Sequence, residues 1–98
     1  MRRTEETAGT WLQGYTTTTR RKLTETFGEP TIYEGGKTTI EWGIVFDNRV
    51  LATVYDWKRY ELGEPSQDEE MTYNIGGISA EAVEMVENAL KEREGANA

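Results

Sequence analysis

The chain contains neither cysteine nor histidine. Without cysteine there is no disulfide framework and no thiolate metal site. Without histidine the commonest general base and the commonest neutral metal ligand are missing, so Ser-His, Cys-His and zinc-hydrolase constellations are excluded. Carboxylate chemistry remains, as a magnesium site or a paired-acid glycosidase site. The acids, however, are scattered, with no spaced Asp/Glu motif. The chain is therefore expected to be non-enzymatic, to need no cofactor or metal, and to act by binding. Cations are scarce too: 11 Lys and Arg stand against 18 Asp and Glu, a net charge of −7. Proteins that bind nucleic-acid polymers gather cations to neutralise phosphates, so such a partner is not expected. No apolar run approaches the roughly 20 residues that cross a bilayer. Met1-Arg2-Arg3-Thr4-Glu5-Glu6 lacks the apolar stretch of a secretory signal. The expected setting is cytoplasmic, with no membrane partner.

What is present suffices for one small core. At 98 residues, with 36% hydrophobic residues, three Trp, five Tyr and two Phe, the composition is polar but too aromatic for a disordered chain. Residues 1–10 are expected as a flexible N-terminal tail, 11–94 as a single domain and 95–98 as a C-terminal tail. Thr16 to Thr19 offer N-caps for a helix over 17–27. In it Leu23 and Phe27 share a face, Gly28 and Pro30 end the run, and Arg20, Arg21 and Glu25 form a solvated side.

Residues 31–33 are a short strand candidate. From Thr38 to Phe46, Ile40, Trp42, Ile44 and Phe46 fall on one face and Thr39, Glu41, Gly43 and Val45 on the other, the clearest strand signal in the chain. Asp47-Asn48-Arg49 is a turn leading into a strand over 50–57. A two-residue loop places Leu51, Thr53, Tyr55 and Trp57 beside the apolar row. A three-residue loop places Val50, Ala52 and Val54 there and turns Tyr55 and Trp57 to the opposite face. The second register is preferred, because it completes an apolar row. Residues 61–70 read as an acidic loop and Met71 to Ile75 as a further strand ended by Gly76-Gly77. A helix over 80–93, capped by Ser79 and stopped by Gly95, carries the stripe Ala82, Val83, Val86, Ala89 and Leu90. The expected fold class is α+β: an antiparallel β-meander of 3–4 strands, with an N-terminal and a C-terminal helix packed on one face.

Two segments carry candidate binding residues. Tyr55, Trp57, Lys58, Arg59 and Tyr60 gather aromatics and cations at a strand end, a combination that stacks on bases and meets phosphates. The same residues also suit an ordinary strand exit. Asn74, Gly76 and Gly77 form a turn whose backbone can approach a ligand closely, or simply a strand-to-helix joint.

Thr39-Ile40-Glu41-Trp42, the run from Ala52 to Tyr60 centred on Tyr55-Asp56-Trp57-Lys58, and Tyr73-Asn74-Ile75-Gly76-Gly77 together resemble a group of small bacteriophage proteins. The resemblance spans roughly residues 27–90. Arg49 stands where the group has a turn glycine, and Asn74 where it has a histidine. The resemblance implies a phage origin, action in the cytoplasm of an infected bacterial host, and no particular mechanism.

Three functions are expected from these features. One is an inhibitor that docks on a host or defence protein through the acids Glu61, Glu64, Asp68, Glu69 and Glu70. A second is a sponge that sequesters a small (cyclic) nucleotide immune signal without cleaving it. A third is a structural homodimer without ligand, joined through the aromatic face. The inhibitor stands first, and a homodimer is expected in any case.

Overall fold

The computed structural model describes residues 1–33, 38–57 and 62–96. Its elements are β1 (Arg2–Arg3), β2 (Trp11–Thr19), α1 (Arg20–Phe27), β3 (Ile32–Tyr33), β4 (Ile40–Val45), β5 (Leu51–Tyr55), β6 (Glu70–Gly77) and α2 (Glu81–Ala96). The expected α+β class holds, but the sheet has six strands instead of 3–4. All pair antiparallel in the order β1-β4-β5-β6-β2, with β3 also on β4.

The added strands come from three places. The helix expected over 17–27 begins only at Arg20, and Thr17 to Thr19 belong instead to β2. Threonine is β-branched and packs well on a pleated surface, and the free edge of β6 offers a partner over nearly the whole of Trp11–Thr19. Only Thr19 acts as a cap, its Oγ1 accepting from the Lys22 N–H (3.2 Å). β1 lies inside the expected flexible tail. There Arg2 and Arg3 pair with Val45 and Ile44, and the Thr4 N–H donates to the Gly43 carbonyl (2.9 Å). β3 occupies the rest of the same outer edge of β4. α2 continues through Gly95 to Ala96, past its expected end.

The β4–β5 hairpin adopts the three-residue register. Trp42 faces Val54 and Ile44 faces Ala52, while Glu41 faces Tyr55. Phe46 and Val50 close the ladder around Asp47-Asn48-Arg49. Arg49 takes the left-handed conformation at φ 69°, the position a glycine fills at least cost in such a loop.

Both helices lie over the face carrying Trp42, Val54 and Ile75. α2 rests on β6, β5 and β2, and α1 on α2 and β2. Leu23, Phe27, Val86 and Leu90 meet that face. Phe27 and Phe46 pack edge to face with centroids 6.3 Å apart, as do Trp42 and Tyr73 at 6.0 Å. The Trp42 indole N–H donates to the Gly28 carbonyl (2.8 Å), tying the end of α1 to the sheet. A Cβ on Gly77 would stand 2.5 Å from that of Ala82, so α2 approaches β6 closely because that side chain is absent. The opposite face carries no helix. There, residues 4–7 cross over Gly43, where a Cβ would meet the Thr4 carbonyl oxygen at 2.2 Å. Among the described residues no helix is long and apolar enough to cross a membrane.

An L-residue in the left-handed region costs about 1–2 kcal/mol, partly offset by the greater unfolded-state freedom of glycine. Arg49→Gly is therefore expected to raise unfolding stability by about 0.5–1 kcal/mol in urea titration. A loss of stability would show that the Arg49 side chain contributes more than its backbone costs.

Candidate functional site

The helix-free face is built by side-chain alternation. Cross-strand partners share a face, so Glu41, Tyr55, Asn74 and Tyr15 form one row across β4, β5, β6 and β2. Thr53 and Gly76 form the next row, followed by Leu12. Leu12 reaches this face because of an irregularity at Gln13, which shifts the register between Leu12 and Gly14. The Gln13 carboxamide then donates to the Gly77 carbonyl (3.1 Å). Such a bulge re-aims the side chains beyond it.

Of the sequence-derived candidates, three meet here. Tyr55 and Trp57 pack edge to face at 6.1 Å, and Asn74 stands beside Tyr55 as its cross-strand partner. Gly76 lies on the same face but is buried, and a Cβ there would meet Thr53 Oγ1 at 2.4 Å. Its role is to let neighbouring side chains close over it. Gly77 faces away, under α2. Lys58, Arg59 and Tyr60 lie outside the described residues. Tyr15, Leu12 and Glu41 belong to the face and were not among the candidates. The signal for Tyr15 was present in the alternation of Tyr15 and Thr17 with Thr16 and Thr18, masked by a face with no apolar contrast.

The face is aromatic and exposed. Leu12 is 44% exposed, Tyr15 55% and Trp57 47%. Glu41 is half-buried beside them and accepts from the Thr7 hydroxyl (3.3 Å). Burial raises its pKa above the ordinary glutamate value, the hydrogen bond opposing only in part. Burial likewise raises the Tyr55 phenol, and the negative Glu41 pushes it in the same direction.

Asp56, inside the Tyr-Asp-Trp-Lys run, points the other way and is fully buried. Its Oδ1 accepts from the Thr39 N–H (2.8 Å) and the Ile40 N–H (3.0 Å), and its Oδ2 from the Thr39 hydroxyl (2.5 Å). Charge-assisted bonds of this kind are the strong ones, and here they fasten the start of β4 to the end of β5. No face of Asp56 is open to a substrate. Among the described residues no three acids converge as a metal site would require.

The acidic loop is also engaged within the chain. Arg20 Nη1 donates to Glu64 (3.0 Å) and to the Pro65 carbonyl (3.1 Å). Arg21 forks onto both oxygens of Asp68 (2.8 and 3.1 Å), and its backbone N–H donates to the Gln67 carbonyl (2.9 Å). The hydrogen bond from Arg21 lowers the Asp68 pKa. The helix side expected to be merely solvated is thus a clamp, while Glu61 lies outside the described residues.

No family model, curated protein or solved structure matches this chain.

Asp56→Ala removes three acceptor contacts and strands two backbone donors, that of Ile40 buried and that of Thr39 part-buried. At about 1–3 kcal/mol for each unsatisfied group, it is expected to cost 3 kcal/mol or more, roughly, in chemical denaturation. A cost below about 1 kcal/mol would remove Asp56 from this role. Glu41 has the opposite sign. Its folded pKa is raised, so its contribution to stability is fully present below the unfolded value of 4.5 and is lost as pH rises through the raised folded value. Glu41→Gln should flatten that part of the stability–pH curve and be neutral or stabilising at pH 7. A curve unchanged from that of the parent protein would contradict it.

Proposed function

We propose that this protein is a non-enzymatic binding protein that inhibits a partner by direct protein–protein contact, and that the helix-free sheet face is its contact surface. The observation that carries the reading is the gathering of Leu12, Tyr15, Tyr55 and Trp57 on a face with no helix over it. Aromatic side chains are enriched at protein interfaces, where they bury large areas at low entropic cost. The 61–70 loop is the weaker surface, because Glu64 and Asp68 are held by Arg20 and Arg21. The resemblance to small bacteriophage proteins supports a host or defence protein as the partner, met in the cytoplasm of an infected bacterium.

A nucleotide sponge is the second reading. It is favoured by Tyr55, Trp57 and Asn74 standing together, two rings to stack on a base and a carboxamide to read its edge. A homodimer through the same face would bury the same rings.

The test compares the parent protein with a Tyr15→Ser/Trp57→Ser variant of unchanged circular dichroism. Immobilised on beads, the parent is expected to retain a discrete bacterial protein that the variant loses at least tenfold. Equal capture by both would remove the face from the function. Calorimetry with cyclic mono-, di- and trinucleotides decides the second reading, for which heat is expected only if the sponge is correct. Light scattering of the free protein reports whether a second copy covers the face.

A further inference from the structure

The row Glu41, Tyr55, Asn74 and Tyr15 has a definite chemistry. Neighbouring strands lie about 4.8 Å apart, so these four side chains form a band of hydrogen-bond acceptors interleaved with aromatic rings. None of β2, β4, β5 and β6 carries a lysine or arginine, and the charged residues in them are Glu41 and Glu70. Glu70 stands opposite Thr19 at the far end of β6 from Asn74. Glu41 is thus the one charge set within the aromatic part of the face by these strands. Among the described residues its hydrogen bond comes from a neutral hydroxyl, that of Thr7. Among the described residues no cation meets this half-buried carboxylate, an unfavourable arrangement, and a partner that brings one would relieve it. The whole chain, at −7, attracts such a partner from a distance.

We propose that this row seats an arginine side chain of the partner protein, its guanidinium lying along the Tyr55 ring and pairing with the Glu41 carboxylate. The inference rests on the reading of this face as a protein-contact surface and names its anchor. Arginine fits better than lysine on two counts. A guanidinium is a flat cation that stacks on aromatic faces, whereas an ammonium is a compact, strongly hydrated point charge. It also presents five donors in one plane, enough to reach the carboxylate, the Asn74 carbonyl oxygen and a tyrosine hydroxyl together. Arginine is correspondingly frequent among the residues that dominate interface energies.

The test uses the full ¹⁵N-labelled chain and capped Gly-Arg-Gly and Gly-citrulline-Gly peptides, which differ in charge but hardly in shape. The arginine peptide is expected to shift the backbone amides of Glu41, Tyr55 and Asn74, saturating in the millimolar range. The citrulline peptide should leave them in place, and Gly-Lys-Gly should bind more weakly than the arginine peptide. Glu41→Gln is expected to weaken arginine binding about fivefold, the scale of one partly exposed ion pair, whereas Glu70→Gln leaves it unchanged. Shifts that are absent, that citrulline reproduces, or that survive Glu41→Gln would overturn the arginine anchor. If the anchor fails in this way while Tyr15→Ser/Trp57→Ser still abolishes partner capture, the contact surface stands and only its occupant is wrong. If both fail, the face itself is not the binding surface.

Discussion

A carboxylate taken fully out of water must find donors for its lone pairs or be neutralised. Asp56 finds them on the backbone of Thr39 and Ile40 and on the Thr39 hydroxyl. Those groups open β4, and Asp56 itself follows the last residue of β5. The three bonds therefore lock two strands in one register, and a slip of a single residue would break all of them. Register in turn decides which side chains face the helices. With Asp56 in place, Trp42, Ile44, Ala52 and Val54 enter the core, and Tyr55 is held on the opposite side of the sheet beside Glu41. A buried polar contact thus fixes the position of an exposed aromatic surface.

Charge is divided along the same lines. The acids of the 62–70 segment are not spread evenly over a solvated rim. Glu64 and Asp68 meet Arg20 and Arg21 at the start of α1, and Pro65 is buried beneath them. Exposed pairs of this kind contribute little stability each, but the Arg21 fork and the Arg21–Gln67 backbone bond fix where the segment lies. Glu41, in contrast, stands on the helix-free face with a neutral partner among the described residues, the Thr7 hydroxyl.

Much of the fold was legible in the residues. The alternation from Ile40 to Phe46, the apolar row Val50-Ala52-Val54 and the stripe on α2 each identified an element and its inner face, because each sets strongly apolar residues against polar ones. β2 was not legible. Thr16 to Thr19 present the same side chain to core and solvent, so period 2 leaves no contrast to read. The pair Arg2 and Arg3 gave no strand signal either, since their pairing depends on the open edge of β4, a property of the assembled sheet. The binding face was legible in part. Tyr55, Trp57 and Asn74 were found from local composition. Tyr15 and Leu12 lie far from them in sequence, and a bulge at Gln13 orients Leu12. Gly77, selected for its freedom near a ligand, instead serves close packing against Ala82.

The pairing of β2 with β6 joins the first third of the chain to the last. Loop closure over such a span is entropically expensive and slow to be rewarded. On a ribosome, Trp11–Thr19 emerges well before Glu70–Gly77 and has no partner until that segment has been made. In that interval Leu12 and Tyr15 sit on a lone strand whose backbone groups are unpaired along both edges. The nascent chain is thus most open to improper pairing with other chains before Glu70–Gly77 appears, and Leu12 and Tyr15 join the rest of the aromatic surface only then.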